Sequence, residues 1–452
     1  MGPGGSDQKV IVGLGETGLS CARYFAAKGE PFKVVDSRSN PPALAELQKT
    51  MPGIECELGP FSEQTFVTAQ ELVVSPGVSL KTQEIKNAIE AGVPVTGDID
   101  IFSKHVQAPI AAVTGSNGKS TVVELLASIL SAARIDYGLG GNLDGANFKP
   151  ALDMLLQPRK ELYVLELSSF QLETTECLGA SVATLLNLSA DHLDRYDSIE
   201  EYAHAKQRIF RGCKKIVVNR DDPNSQPETD SDVPKLDFGF GRPGINGFGL
   251  LEEEDDQYLA FQFEKIVSVD ELKVFGQHNI ANVLAAAAMA TALEVDMDAI
   301  RSGIRNFTGL PHRCQWVADV AGVEFYNDSK GTNVGATIAA VEGLGQRITG
   351  HILLIAGGVG KGADFKALVP VINRWAKEVI LIGQDAVEMA ANFDADIQTY
   401  FAEDMQDAVK VALEHASPGD AVLLSPACAS FDMFENYQHR GQAFMQSVES
   451  LQ

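Results

Sequence analysis

Thr114-Gly115-Ser116-Asn117-Gly118-Lys119-Ser120-Thr121 is the stretch that decides how this chain reads. The apolar run Ile110-Ala111-Ala112-Val113 before it reads as a strand, and the stretch from Ser120 to Ala132 reads as a helix. A glycine-rich turn between a strand and a helix lets backbone N–H groups approach phosphate oxygens, and the helix N-terminus favours their charge. Lys119 can reach the terminal phosphates of ATP, and Ser120 can ligate a magnesium ion. Val113 stands where the common G-x-x-x-x-G-K-S/T pattern has its first glycine; the glycine comes at Gly115, so the loop is shorter. Gly115, Ser116, Asn117, Gly118, Lys119, Ser120 and Thr121 are the expected ATP contacts. The competing reading is a tight turn with an exposed lysine. The preceding strand, Gly-Lys-Ser and the following helix together weigh against it.

Outward from this loop, the same strand, glycine turn and helix pattern starts three times. The first start is Val10-Ile11-Val12-Gly13, with a helix over Thr17–Lys28, a strand at Val34-Val35-Asp36 and another beginning at Glu71. The second is the phosphate loop, followed by apolar runs at Tyr163, Val182 and Lys215. From Lys235 to Val274 the alternation predicts short antiparallel strands, with the acidic run Glu252–Asp256 at a hairpin tip. An Ala-rich helix spans Asn279–Leu293. The third start follows Pro311, with strands near Val323, His351, Glu378 and Asp420. Strands alternating with helices predict parallel, doubly wound sheets. The expected fold is α/β in three domains: a Rossmann-like domain over 1–106, a central P-loop ATPase-type domain over 107–309, and a Rossmann-like α/β domain over 310–452. A length of 452 residues agrees with about three domains.

The net charge of -25 argues against a general affinity for nucleic acid or anionic membrane. Six cysteines without a C-x-x-C pair fit reduced thiols better than a disulfide frame or zinc site. No secretory h-region opens the chain and no run is apolar enough to span a bilayer, so a cytoplasmic protein without membrane insertion is expected.

Other motifs carry weaker signals. Gly13-Leu14-Gly15-Glu16-Thr17-Gly18 with Asp36 matches a dinucleotide fingerprint; it points more firmly to some phosphate-bearing nucleotide, and a ligand-free turn stays open. Ser75-Pro76-Gly77 ends another strand. Glu166 ends a strand where it could hold magnesium, or cap the next helix. His192, in Asp191-His192-Leu193-Asp194-Arg195, is by itself an ordinary structural histidine. Nothing local singles out Lys206 on its helix. Asn279 and Asn282 share a helix face, with N-capping as the plain alternative. Pro311-His312-Arg313 lies at the second domain boundary, where a ligand could bridge. Asn327-Asp328-Ser329-Lys330-Gly331-Thr332-Asn333 follows a strand and is dense in polar groups. Gly357 to Phe365 resembles a loose phosphate loop, and Ser425 to Asp432 follows another strand. Cys428 there reads as buried packing rather than as a nucleophile.

Taken in order, these motifs resemble the Mur ligase family of peptidoglycan synthesis, over nearly the whole chain. The three carboxyl-terminal motifs resemble those of members that add D-glutamate to UDP-N-acetylmuramoyl-L-alanine. The resemblance implies that the first domain holds UDP rather than NAD. Thr17, Asp36, Ser37, Arg38, Ser75 and Gly77 match uridine-diphosphate positions, and Asn142, Gln171 and His192 match the muramoyl end. Asn279, Asn282, Arg313 and Asp328 match ATP positions. His312, Lys330, Thr332, Lys361, Ser430 and Tyr437 match the acyl and D-glutamate side. Two magnesium ions are implied, one on Ser120 and Glu166, the other on His192 and a carbamylated Lys206. Lys119, His192, Lys206, His312 and Lys330 then form the catalytic set, in a chain expected to act as a monomer. Gly331 replaces an expected Ala, which should not matter, and Tyr437 an expected Phe. A folylpolyglutamate ligase, a Rossmann dehydrogenase and a phosphate-loop switch are the alternatives; substrate preference, hydride transfer and acceptor-free ATP hydrolysis distinguish them.

Overall fold

The computed structural model describes residues 8–142, 149–189, 195–228, 232–254, 256–274, 276–360 and 362–451. It divides into two compact units, 1–271 with 281–306, and 272–280 with 307–452. Among the described residues three sheets form the framework, two in the first unit and one in the second.

The first sheet is parallel, with strands in the order Cys56–Leu58, Phe32–Asp36, Lys9–Val12, Glu71–Val74, Val95–Thr96. Lys9–Val12 is central, and its neighbours lie on opposite sides. The turn after it therefore opens at the topological switch point, where parallel sheets bind ligands. The second sheet has nine strands. Its parallel core orders Ile216–Asn219, Val182–Leu185, Ile110–Thr114, Leu162–Glu166 and Tyr137–Gly141. Here Ile110–Thr114 is central, so the phosphate loop also leaves from a switch point. All five of its residues are buried, which is why they read as an unbroken apolar run. One apolar cluster, including Tyr24, Phe102, Tyr163 and Leu185, serves both sheets.

The stretch from Lys235 departs from the expected antiparallel pattern. Lys235–Phe238 pairs in parallel with Ile216–Asn219 and with Gly247–Glu253; only Gly247–Glu253, Asp256–Phe261 and Glu264–Ser268 run antiparallel. The described members of the acidic run, Glu252, Glu253, Glu254 and Asp256, do fall at the end of that hairpin, with Glu254 in the left-handed region at φ 56°.

The sheet of the second unit runs Gln315–Val320, Val323–Asn327, Ala421–Leu424, Ile352–Gly357, Ala376–Ile382, Gln398–Phe401. It is parallel except for the Gln315–Val320 edge. The helix Tyr437–Glu449 packs on it through Phe444 and Val448. Among the described residues no helix is long and apolar enough to cross a membrane, and all six cysteines are free thiols.

Candidate active site

The loop between Thr114 and Lys119 is strained into place by two glycines. Gly115 has φ +155° and Gly118 +84°, and a Cβ at Gly118 would run into Asn282 Oδ1. Asn282 therefore lies against the loop. The loop is also tied to the segment after the neighbouring strand. Asn187 accepts from the Asn117 amide (2.8 Å) and donates to the Asn117 carbonyl (3.1 Å), and its own carbonyl accepts from the Ser116 amide (3.0 Å). Ser116 Oγ donates to the Ser189 carbonyl (3.1 Å) and lies 3.1 Å from the Tyr202 hydroxyl. These bonds preorganise the cradle before a ligand arrives.

Two lysines converge on it. Lys119 Nζ donates to the carbonyls of Gly115 (2.8 Å) and Ser116 (3.0 Å). Lys206 Nζ donates to the same Gly115 carbonyl (3.0 Å) and to Thr114 Oγ1 (3.3 Å). Lys206 is only 2% exposed, on a helix face shared with Tyr202 and Ala205. It is thus buried against the loop, although nothing local in the sequence singles it out. Its position i+4 from Tyr202 is the one signal that places it on the buried face.

Glu166 is buried at the end of Leu162–Glu166, in register with Val113 next to the loop, and Asn142 Nδ2 donates to its Oε1 (3.3 Å). It does not cap the next helix. Ser168 and Gln171 do so through a reciprocal capping box, which engages the Gln171 Oε1. A carboxylate and the Ser120 hydroxyl at the helix start are hard oxygen donors of the kind magnesium takes, along with retained waters. Among the described residues no three His, Cys, Asp or Glu gather into a closed metal cage. His192 and Lys361 lie outside the described residues.

In the first sheet, Asp36 is occupied from within. Its carboxylate accepts from the Leu14 amide (2.7 Å), the Arg38 amide (2.9 Å) and the Arg38 guanidinium (2.9 and 2.7 Å). Burial would raise its pKa, but these donors hold it down at about 2. In NAD-binding folds the corresponding acid accepts the ribose hydroxyl; here it braces the glycine turn. Ser75 Oγ donates to the Gly13 carbonyl (2.9 Å), so Ser75 and Asp36 flank that turn; Ser37, Arg38 and Gly77 are exposed beside it and Thr17 is half-buried. Arg195, whose role its sequence does not reveal, donates to the carbonyls of Pro76 (2.8 Å) and Val78 (3.3 Å) and pairs with Glu173 (2.7 Å).

In the second unit the three carboxyl-terminal motifs meet. The Ala427 amide donates to the Gly331 carbonyl (2.9 Å), and Val359 and Ala429 exchange two backbone bonds of 2.9 Å. His312, Lys330 and Tyr437 cluster: Lys330 Nζ lies 4.0 Å from the Tyr437 ring centroid, and His312 meets that ring edge-on at 6.1 Å. Asn327 Nδ2 donates to His312 Nδ1 (2.9 Å). Burial, reinforced by the Lys330 charge, lowers the His312 pKa, so the imidazole is neutral near pH 7. Asp328 is buried, accepts from Ser425 Oγ (2.7 Å) and the Cys314 amide (3.1 Å), and burial raises its pKa to about 6. At Gly331 a Cβ would lie 2.5 Å from Asp328 Oδ2 and 2.8 Å from Ser425 Oγ, so an alanine there would need both side chains to give way. Ser430 is buried and Thr332 exposed. The Cys428 thiol is buried, which pushes its pKa up to about 12, as packing rather than nucleophilic use requires. Asn279 and Arg313 line a cavity of about 240 Å³ with Trp316, Tyr326 and Arg347.

The Mur ligase MurD-like N-terminal domain matches residues 7–97, the Mur ligase middle domain residues 113–290, and the Mur ligase glutamate ligase domain residues 312–428. The UDP-N-acetylmuramoylalanine–D-glutamate ligase of Pseudomonas aeruginosa is 48% identical over 443 residues, covering 98% of each chain. That of Hahella chejuensis is 46% identical over 441 residues, again covering 98% of each. Among solved structures, the fold is similar to UDP-N-acetylmuramate-alanine ligase MurC from Thermotoga maritima (TM-score 0.61, 19% identity, 98% of this chain and 100% of that one). It is also similar to a pseudomurein peptide ligase type C from Methanothermus fervidus (TM-score 0.60, 19% identity, 99% and 100%). A shortened phosphate loop, a second lysine folded onto it and three carboxyl-terminal loops joined in one cradle thus occur on a chain matched from end to end, and that chain belongs to the Mur ligase family.

Proposed function

We propose that this chain is an ATP-dependent ligase that joins D-glutamate to UDP-N-acetylmuramoyl-L-alanine, a cytoplasmic step of peptidoglycan synthesis. The observation that carries the reading is the convergence of Lys119 and Lys206 on the Gly115 carbonyl, in a loop built for phosphate. Domain boundaries near 106 and 309 go with it, as does action as a monomer.

The substrate carboxylate attacks the γ-phosphorus of ATP, the bond to the β-phosphate oxygen breaks, and an acyl phosphate and ADP result. The D-glutamate amine then adds to the acyl carbon, loses a proton, and phosphate leaves. Lys119 offsets the repulsion between the two anions of the first step. Magnesium, held by Ser120 and Glu166 and at a second position by His192 and carbamylated Lys206, would neutralise phosphate charge. Two ammonium groups on one carbonyl oxygen repel each other, and carbamylation of Lys206 would turn that repulsion into attraction. Neutral His312, with Nδ1 accepting from Asn327 and its proton therefore on Nε2, is suited to donate to the tetrahedral oxygen, and Lys330 to steady the charge on it.

Thr17, Asp36, Ser37, Arg38, Ser75 and Gly77 serve the UDP moiety, with Asn142 and Gln171 toward the muramoyl end. Asp36 acts by bracing the turn. Asn279, Asn282, Arg313 and Asp328 serve ATP, and Thr332, Lys361, Ser430 and Tyr437 serve D-glutamate. A coupled ADP-release assay across acceptors and amino acids tests the reading. ADP should form only with UDP-N-acetylmuramoyl-L-alanine and D-glutamate together. ADP release without an acceptor, or with a folate acceptor instead, would overturn it.

A further inference from the structure

The helix Tyr437–Glu449 carries Arg440, which is 1% exposed and heads the largest fully buried side chains. Its Nε donates to Ser329 Oγ (3.0 Å), one terminal nitrogen to the Ser329 carbonyl (2.9 Å) and the other to the Cys428 carbonyl (3.1 Å). None of these acceptors is a carboxylate. Burial drives the guanidinium pKa down to about 10, and the charges of Asp432 and Asp328 offset this only in part. Burying a charge is costly even when it is hydrogen-bonded, and an apolar residue of similar volume would avoid that cost.

The three acceptors show where the charge has a use. Ser329 precedes Lys330 in one loop, and Cys428 lies two residues before Ser430 in another. The first turns of the same helix touch the remaining members of the cradle. Ser329 Oγ donates to the Tyr437 carbonyl (2.8 Å), and Asn327 Nδ2 donates to the Gly441 carbonyl (3.1 Å) as well as to His312. Gly441 has no Cβ because His312 Nδ1 fills that space. The planar guanidinium thus spans two loops with donors in a fixed fork, which a lysine cannot do.

We propose that Arg440 is a positioning residue for the amino-acid substrate: it sets the spacing of the Asn327–Asn333 and Ser425–Asp432 loops and places a fixed positive charge beneath the cradle that receives a dicarboxylate. The proposal rests on the assignment of D-glutamate to this cradle. Being buried, Arg440 does not touch the substrate. It acts through Ser329, the Cys428 carbonyl and its field, which is weakly screened in the interior.

The test uses the full chain with Arg440→Lys, Arg440→Met and Ser329→Ala. Each of the three substrates is varied in turn, and thermal unfolding is recorded alongside. The KM for D-glutamate should rise by about 30-fold in Arg440→Met, by about tenfold in Arg440→Lys and by about threefold in Ser329→Ala, with the KM for the UDP substrate changing less than about twofold and that for ATP, which Asp328 of the same loop serves, rising less than that for D-glutamate. Folded variants with an unchanged D-glutamate KM, or with equal rises for all three substrates, overturn the proposal. If Arg440→Met does not fold, Ser329→Ala decides by the same criterion, since it removes one hydroxyl and keeps the charge. A wild-type chain that releases ADP with a different amino acid refutes the D-glutamate assignment alone; the same KM comparison with that amino acid then decides the role of Arg440.

Discussion

Lys206 Nζ and Lys119 Nζ hydrogen-bond the same atom, the carbonyl oxygen of Gly115, at 3.0 and 2.8 Å. One lysine starts the loop's own helix, and the other comes from a helix about ninety residues further on. The pair makes the loop a place where added negative charge is favourable.

Lys119→Ala should lower kcat/KM for ADP formation by about 100-fold or more, because the lost contact strengthens as charge moves onto the transferred phosphoryl group. Steady-state ADP release with all substrates present measures this. Near-normal rates would sink the phosphate-loop reading.

Lys206→Ala should be equally inactive, yet recover with a short carboxylate such as formate or acetate in the medium. Its side chain is buried beside the loop, so its removal leaves a space that a small anion can enter. Rescue that saturates with carboxylate concentration supports the carbamate. Rescue by chloride to the same extent would argue for mere cavity filling.

Gly118→Ala strains the loop twice. It forces a side chain onto a φ of +84° and drives a Cβ into Asn282. The KM for ATP should rise and the unfolding free energy should fall by about 1–3 kcal/mol, read from nucleotide titration and denaturant unfolding. Gly331→Ala should show a smaller loss of the same kind, since its φ is not in the left-handed region and only Asp328 and Ser425 must give way.

Asp36 predicts a pH dependence of stability. Its folded pKa of about 2 lies below the unfolded value of about 3.9. Its stabilisation is therefore complete above pH 4 and lost as pH falls through 2. The melting-temperature gap between wild type and Asp36→Asn should be constant from pH 5 to 8 and narrow below pH 4. A gap that persists at pH 2 would show that charge is not what holds the Leu14 turn.

Much of the fold is legible because its strands are buried on both faces. Ile110–Thr114 and Ile352–Gly357 are apolar without interruption and end in glycine turns, a pattern that local sequence displays. Edge strands such as Cys56–Leu58 and Gln398–Phe401 are short and half exposed, so no such run marks them. The glycine turns and polar loops were likewise readable. Lys206, Arg195 and Arg440 were not, since each is a charged residue whose burial is decided by distant segments: Gly115, Pro76 and Ser329. The same holds for Asn187, whose grip on Asn117 spans seventy residues.

Tyr202 lies between the loop and Lys206. Its hydroxyl lies 3.1 Å from Ser116 Oγ in the phosphate loop, and its ring centroid lies 4.8 Å from Lys206 Nζ. The phenol is thus a built-in chromophore between the nucleotide cradle and the lysine. Turning a neighbouring cation into an anion alters its electronic transition, so ultraviolet difference spectra against Tyr202→Phe would follow the chemical state of Lys206 without a label and without turnover.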